Sequence, residues 1–305
     1  MKVIILFLIA TLSTSLCLAN PKWKKRAIEE EWTFSYSDAT KHHTGLKKKT
    51  LPKHLQAAPV KTDIAIPDKL DLRQTADGGH RGLSMILDQG QCGSCWAFSL
   101  TASLRDGWRL AQKDPQRLSQ QYLVDCADNA FGCEGGYFDA ADLFIDPKGS
   151  PNDWIYPYTA MDGRCHKDAK KRASIVGWHF LGGPNPPTPK DIESWIVEHN
   201  APVSITVAAG AGPWENYQAG IYNGCTMAQT DHMINIVGWD NEGATFDAQG
   251  NLPPGKGIWI LRNSWGLGWG MNGWMKSKMT DANGKRCNNV AEEAVGFTYD
   301  VPTKK

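Results

Sequence analysis

The stretch Gln89-Gly90-Gln91-Cys92-Gly93-Ser94-Cys95-Trp96-Ala97-Phe98-Ser99 constrains this chain most. Its first half is glycine-rich and polar, which suits an irregular turn. From Cys95 to about Leu110 there is no proline, and Trp96, Leu100, Leu104, Trp108 and Ala111 recur at helical spacing. The pattern predicts a loop that feeds directly into a helix, with Cys95 at the helix N-terminus. Unpaired backbone N–H groups and the positive end of the helix dipole favour an anion there. A thiol so placed loses its proton more easily, and the thiolate is the nucleophile. Taken alone, the Cys-x-x-Cys pair fits a redox motif, half of a zinc site or halves of two unrelated disulfides.

The flanking residues narrow the choice. Cys92-Gly93-Ser94-Cys95-Trp96 matches the sequence signature around the papain and cathepsin nucleophile. The whole run resembles the papain-like cysteine peptidases. The resemblance implies that Cys95 is the nucleophile. It also implies that the Gln89 side-chain amide forms an oxyanion hole with the backbone N–H of Cys95.

The N-terminus reads as a leader rather than as part of the fold. Lys2 gives a short basic start, Val3 to Leu12 is apolar, and Cys17-Leu18-Ala19 ends in small residues. This is the pattern of a signal peptide cleaved near Ala19, and the apolar run is too short for a membrane span. The expected location is therefore an exported one: secreted, periplasmic, or a lysosome- or vacuole-like compartment. Of the eight cysteines, Cys17 leaves with the leader, and an odd number remains. That suggests pairs plus one free thiol. The family resemblance implies the pairs Cys92–Cys133, Cys126–Cys165 and Cys225–Cys287, with Cys95 free.

Residues 20–65 are lysine-rich and precede Ile66-Pro67-Asp68-Lys69-Leu70-Asp71-Leu72-Arg73, which resembles the start of a mature papain-like enzyme with Leu72 where a tryptophan usually stands. Residues 20–65 thus read as a pro-segment, and 66–305 as the peptidase domain. Removal of the segment, with cleavage between about Lys61 and Pro67, is a firmer expectation than an inhibitory role. A disordered N-terminal arm is the alternative. The following residues are helix-like, with Ser119 placed to cap a short helix before Cys126. After a stiff proline-rich connector at 182–189, Lys190 to Asn200 reads as helix. Then Val203–Val207, Met233–Val237 and Ile258–Leu261 read as strands. Helices followed by strands give an α+β arrangement, with a helical half at about 75–180 and a β half at about 181–296. The resemblance implies a two-subdomain fold with a β-barrel-like second half and a cleft between the halves.

The remaining chemistry lies in the β half. His232 follows Gly220-Ile221-Tyr222-Asn223-Gly224-Cys225, which resembles the family's approach to its catalytic histidine, and its separation from Cys95 falls in the window of about 130–150 residues. It would take the Cys95 proton and later protonate the leaving amine. Asn263-Ser264-Trp265-Gly266 supplies the third element. Asn263 would fix the imidazole tautomer, and Trp265 would shield that hydrogen bond from water. Asn263 lies beyond the usual window, and the Gly- and Pro-rich run Asp240 to Lys256 reads as the insertion responsible. Gly135 and Gly136 match positions whose backbone pairs with a bound peptide. By the same resemblance, a glutamate at 292 or 293 floors the pocket for the second residue before the scissile bond, and would admit arginine by a charge-assisted pair. Solvent-facing glutamates are the plainer reading of both.

The sequence therefore points to an exported cysteine endopeptidase, a zymogen acting on peptide or protein substrates. Protein inhibitors in the cleft are further expected partners, and the chain is expected to be a monomer. The net charge of +1 gives no bulk electrostatic case for nucleic acid or membrane. No metal or organic cofactor is implied. A catalytically dead binding scaffold is disfavoured because both Cys95 and His232 are present. A thiol–disulfide oxidoreductase would need Cys92 and Cys95 to pair with each other. An acyltransferase using the same triad is barely separable from a hydrolase at this level.

Overall fold

The computed structural model describes residues 32–34 (backbone only), 42–50, 64–74, 82–111, 113–183, 185–210, 212–226 and 228–299. The expected leader at 1–19 and much of the expected pro-segment at 20–65 lie outside these residues. In chain order the elements are β1 (Trp32–Phe34), β2 (Lys69–Asp71), α1 (Cys95–Leu110), α2 (Gln121–Cys126), β3 (Ser150–Pro151), β4 (Lys171–Ala173), β5 (Gly177–Phe180), α3 (Pro189–His199), β6 (Val203–Val207), β7 (Tyr217–Tyr222), β8 (His232–Asp240), β9 (Ile258–Arg262), β10 (Trp274–Lys278) and β11 (Ala294–Thr298).

The fold is α+β, with a helical half built on α1 and a β half built on one long sheet. The sheet has nine strands in the order β1-β7-β10-β9-β8-β6-β11-β5, with β2 added on β8. The neighbours are antiparallel except β7 and β10. The sheet takes up Lys69–Asp71 and Gly177–Phe180, which lie on the helical side of a simple division at residue 181. Each half has its own core. Trp96, Leu100 and Leu104 of α1 pack with Phe138 and Phe144, whereas Ile192, Trp195 and Ile196 of α3 pack with the sheet around Ile205 and Ile236.

Local signals explain the elements. Thr188 caps α3 through a capping box with Asp191, and Pro189 opens the helix where its missing N–H costs nothing. Ser119 Oγ accepts from the Tyr122 N–H at 2.9 Å at the start of α2. The alternating residues of β6 are all buried, because α1 covers one face and the β-half core the other.

Polar ties lock α1 to the sheet. Ser99 Oγ donates to the Ile234 carbonyl at 2.8 Å, and Asn235 Nδ2 reaches the Ser99 carbonyl at 3.0 Å and Ser103 Oγ at 2.9 Å. Asp106 on α1 forms a fully buried ion pair with Arg262 at the end of β9, and it also accepts from the Ser84 N–H. Such a pair holds only because each charge is matched and hydrogen-bonded. It fixes Arg262, and with it the next residue, Asn263, against the helix that carries Cys95.

Candidate active site

Cys95 is the first residue of α1 and is fully buried. It is the only free cysteine among the described residues; the others are joined as Cys92–Cys133, Cys126–Cys165 and Cys225–Cys287. His232 opens β8, and the register that sets Asn235 opposite Arg262 brings Asn263 to its ring. His232 Nε2 and Asn263 Oδ1 are 2.9 Å apart. The Ser264 backbone N–H donates to the same oxygen at 2.8 Å, which fixes the Asn263 amide with its oxygen toward the ring. His232 Nε2 must then carry the proton, which leaves Nδ1 as the lone-pair nitrogen. Nδ1 is buried with no hydrogen-bond partner among the described residues. Trp265 stacks on the imidazole with centroids 4.7 Å apart.

Gln89 is held by the opposite half of the molecule. Its backbone N–H donates to the Ser264 carbonyl at 2.9 Å, and Ser264 Oγ donates to its Oε1 at 2.7 Å. Its Nε2 is thereby aimed away from Ser264, and reaches the Cys92 carbonyl at 2.9 Å and the His43 carbonyl at 2.9 Å.

His43 belongs to a segment that no local sequence signal assigned to the cleft. Residues 42–50 run across the site. Gly45 sits against Gly93 so closely that a Cβ there would fall on the Gly93 carbonyl. Leu46 forms a parallel bridge with Gly136: the Gly136 N–H donates to the Gly45 carbonyl and the Lys47 N–H to the Gly136 carbonyl, each at 2.9 Å. Position 136 has no room for a side chain, since a Cβ there would meet the Trp96 ring. The Leu46 N–H donates to the Asp231 carbonyl, and His42 stacks on Trp265 with centroids 4.4 Å apart.

This cover reverses the expected ionisation of the thiol. Burial pushes the Cys95 thiol up to about 12, against opposing hydrogen bonds from the backbone of Met233, Gly45 and Trp96. Burial likewise pushes the His232 imidazole down to about 4, although the Asn263 bond works the other way. At neutral pH both groups are uncharged. The helix N-terminus favours a thiolate, but desolvation of the charged form wins while the segment is in place.

Glu292 and Glu293 do not simply face solvent. Lys48 Nζ lies 2.7 Å from Glu292 Oε2 and 3.4 Å from Glu293 Oε2. Thr230 Oγ1 donates to Glu292 at 3.1 Å, and the Tyr137 hydroxyl to Glu293 at 2.5 Å. A cavity of about 280 Å³ adjoins them, lined also by Phe180, Leu181 and Asn185. No group of three or more His, Cys, Asp or Glu side chains is placed to hold a metal among the described residues.

Comparison with known proteins places the chain in a family. The papain family of cysteine proteases matches residues 66–297, and the chain belongs to that family. Cysteine protease 1 of Oryza sativa subsp. japonica is 35% identical over 228 residues, covering 72% of this chain and 43% of that protein. The matched region spans about half the length of such curated relatives. Among solved structures, the digestive procathepsin L2 proteinase from Tenebrio molitor larval midgut aligns with a TM-score of 0.71 at 28% identity, over 91% of this chain and 88% of that one. The Carica candamarcensis cysteine protease in complex with E-64 aligns with a TM-score of 0.62 at 26% identity, over 77% of this chain and all of that one.

Proposed function

We propose that this chain is the exported precursor of a cysteine endopeptidase, with a leader at 1–19, a pro-segment at 20–65 and the enzyme at 66–305. The observation that carries the reading is the bare, unpartnered Nδ1 of His232, whose tautomer is set by Asn263 on the strand end tied to the Cys95 helix. Once the segment leaves, Nδ1 takes the Cys95 proton. The thiolate attacks the scissile carbonyl, and the developing oxyanion meets the Gln89 Nε2 amide and the Cys95 backbone N–H. The C–N bond breaks as imidazolium gives its proton to the leaving amine. Water, deprotonated by His232, then attacks the thioester and releases the acid and the thiol. Gly135 and Gly136 hold the substrate backbone, and Trp265 keeps water from the imidazole–amide bond.

We also place Glu292 and Glu293 at the floor of the pocket for the second residue before the scissile bond. The lysine seated on both carboxylates supports a preference for basic side chains there. Peptide hydrolysis by the processed chain tests the reading. Cys95→Ser and His232→Ala should each abolish turnover, and Asn263→Ala should lower it less. Near-normal turnover by Cys95→Ser would overturn the mechanism. For the pocket, replacing one glutamate by alanine should lower cleavage after Arg-Arg relative to Phe-Arg; an unchanged ratio in both mutants would remove the pocket assignment alone.

A further inference from the structure

The segment across the cleft carries three consecutive lysines, Lys47-Lys48-Lys49. In an extended chain, neighbouring side chains leave on opposite sides, and Lys48 and Lys49 do so. Lys48 reaches Glu292 and Glu293 of the β half. Lys49 turns to the other wall, where its Nζ lies 2.8 Å from Asp139 Oδ2 and also contacts the Asn129 carbonyl. Asp139 is built into that wall: it is 8% exposed, and its backbone carbonyl accepts from Asn129 Nδ2 at 2.9 Å. Its Oδ1 is buried with no hydrogen-bond partner among the described residues. The Tyr137 hydroxyl donates to Glu293 Oε1 at 2.5 Å, and burial, followed by that bond, raises its pKa.

Among the described residues, the ion-pair partners of these three carboxylates are Lys48 and Lys49 alone. When the segment departs, both cations go with it. The open cleft then presents a buried half-satisfied carboxylate on one wall and two carboxylates on the other. Leaving them unpaired is unfavourable, and an incoming chain with basic side chains restores the pairing.

We infer that the cleft recognises two adjacent basic residues, one between Glu292 and Glu293 and the next at Asp139, so that Asp139 is a specificity-determining residue of the opposite wall. The inference rests on the peptidase reading above and extends it to a substrate class: chains that lie opposite in sense to residues 42–50 and carry consecutive lysine or arginine at the third and second positions before the cleaved bond.

The test uses the full chain and its D139N and D139E variants, each processed to the active form and normalised by titration with E-64. Four fluorogenic peptides differ only at the third and second positions: Lys-Lys, Ala-Lys, Lys-Leu and Ala-Leu. The wild type should favour Lys-Lys over Ala-Lys by roughly tenfold in kcat/KM, the scale of one charge-assisted contact. D139N should bring that ratio close to one, and D139E should restore most of it. A wild-type ratio near one, or an unchanged ratio in D139N, overturns the inference. Should D139N yield no titratable enzyme, the wild-type ratio decides by its salt dependence: a fall with added NaCl supports the contact and a flat response overturns it. Failure of E-64-titrated enzyme to cleave any of the four peptides would instead overturn the peptidase reading.

Discussion

The Gln89 side-chain amide donates to the carbonyl oxygen of His43 at 2.9 Å. In the proposed enzyme this amide waits for the oxygen of a substrate carbonyl. In the full chain a peptide group of its own N-terminal segment takes the place. The same segment buries Cys95, stacks His42 on Trp265 and seats Lys48 on the acidic pocket floor. These contacts support an inhibitory pro-segment.

The tightest point of the cover is Gly45 against Gly93. Gly45→Ala should lift the segment, since its methyl would meet backbone that cannot give way. The expected outcome is a precursor that reacts with E-64 before processing, at least tenfold faster than the wild-type precursor. Equal reaction rates would show that Gly45 does not hold the segment.

Acid should loosen the cover. The closed form holds the His232 imidazole down to about 4, below its ordinary value of 6.5. The stability this neutral ring contributes is present above about pH 6.5 and is lost as pH falls toward 4. The shift corresponds to about 3 kcal/mol at most. His42, lowered by its own burial, adds in the same direction. In a Cys95→Ser full chain, which lacks the proposed nucleophile, hydrogen-exchange protection at Leu46 and Lys47 should fall by up to roughly a hundredfold between pH 7 and 4.5 after correction for intrinsic exchange. Constant protection would remove histidine from the release step. At the other extreme, the raised Cys95 thiol contributes stability below about pH 9 that is lost as pH rises toward 12.

What the sequence made legible was local. The helical spacing from Trp96 onward, the Ser119 cap and strands over 203–207, 233–237 and 258–261 follow from periodicity and capping chemistry, whereas the Thr188 capping box and the full lengths of β8 and β9 appear only in the structure. His232 and Asn263 stood out through their flanks. The cover at 42–50 did not, because Gly45 is selected by Gly93 and the lysines by Asp139 and Glu292, contacts between residues far apart in the chain. Ser264 was equally hidden, since its role appears only when the turn after β9 meets the Gln89 loop. The ionisation of Cys95 follows the same logic: the helix end that favours a thiolate is visible locally, whereas the burial that outweighs it in the full chain involves contacts with residues distant in sequence, Gly45 and Met233.

The Cys126–Cys165 bridge ties α2 to the loop around Tyr156, away from the thiol. Removing it with a Cys126→Ala, Cys165→Ala double change should cost roughly 2–5 kcal/mol of stability. The reactivity of Cys95 in the processed chain should stay as it was. Thermal unfolding and E-64 titration of the same sample measure both; a stability loss accompanied by an unreactive Cys95 would tie the bridge to the site.

Asp106 and Arg262 should respond more sharply than a surface pair. Asp106→Ala leaves a buried guanidinium beside Ser84 and should cost about 3–5 kcal/mol. Because Arg262 precedes Asn263, catalysis should weaken along with stability. Chemical denaturation and kcat at a permissive temperature check this; an unchanged unfolding midpoint would contradict the role given to the pair.

The most direct test of the central claim is site mapping of E-64 on the full chain before and after removal of residues 20–65, read by peptide mass spectrometry at neutral pH. The expected result is one adduct, on Cys95, in the processed chain, and little or none in the precursor. Equal labelling of Cys95 in both forms would contradict the covered, uncharged site, and labelling at any other cysteine would contradict Cys95 as the nucleophile.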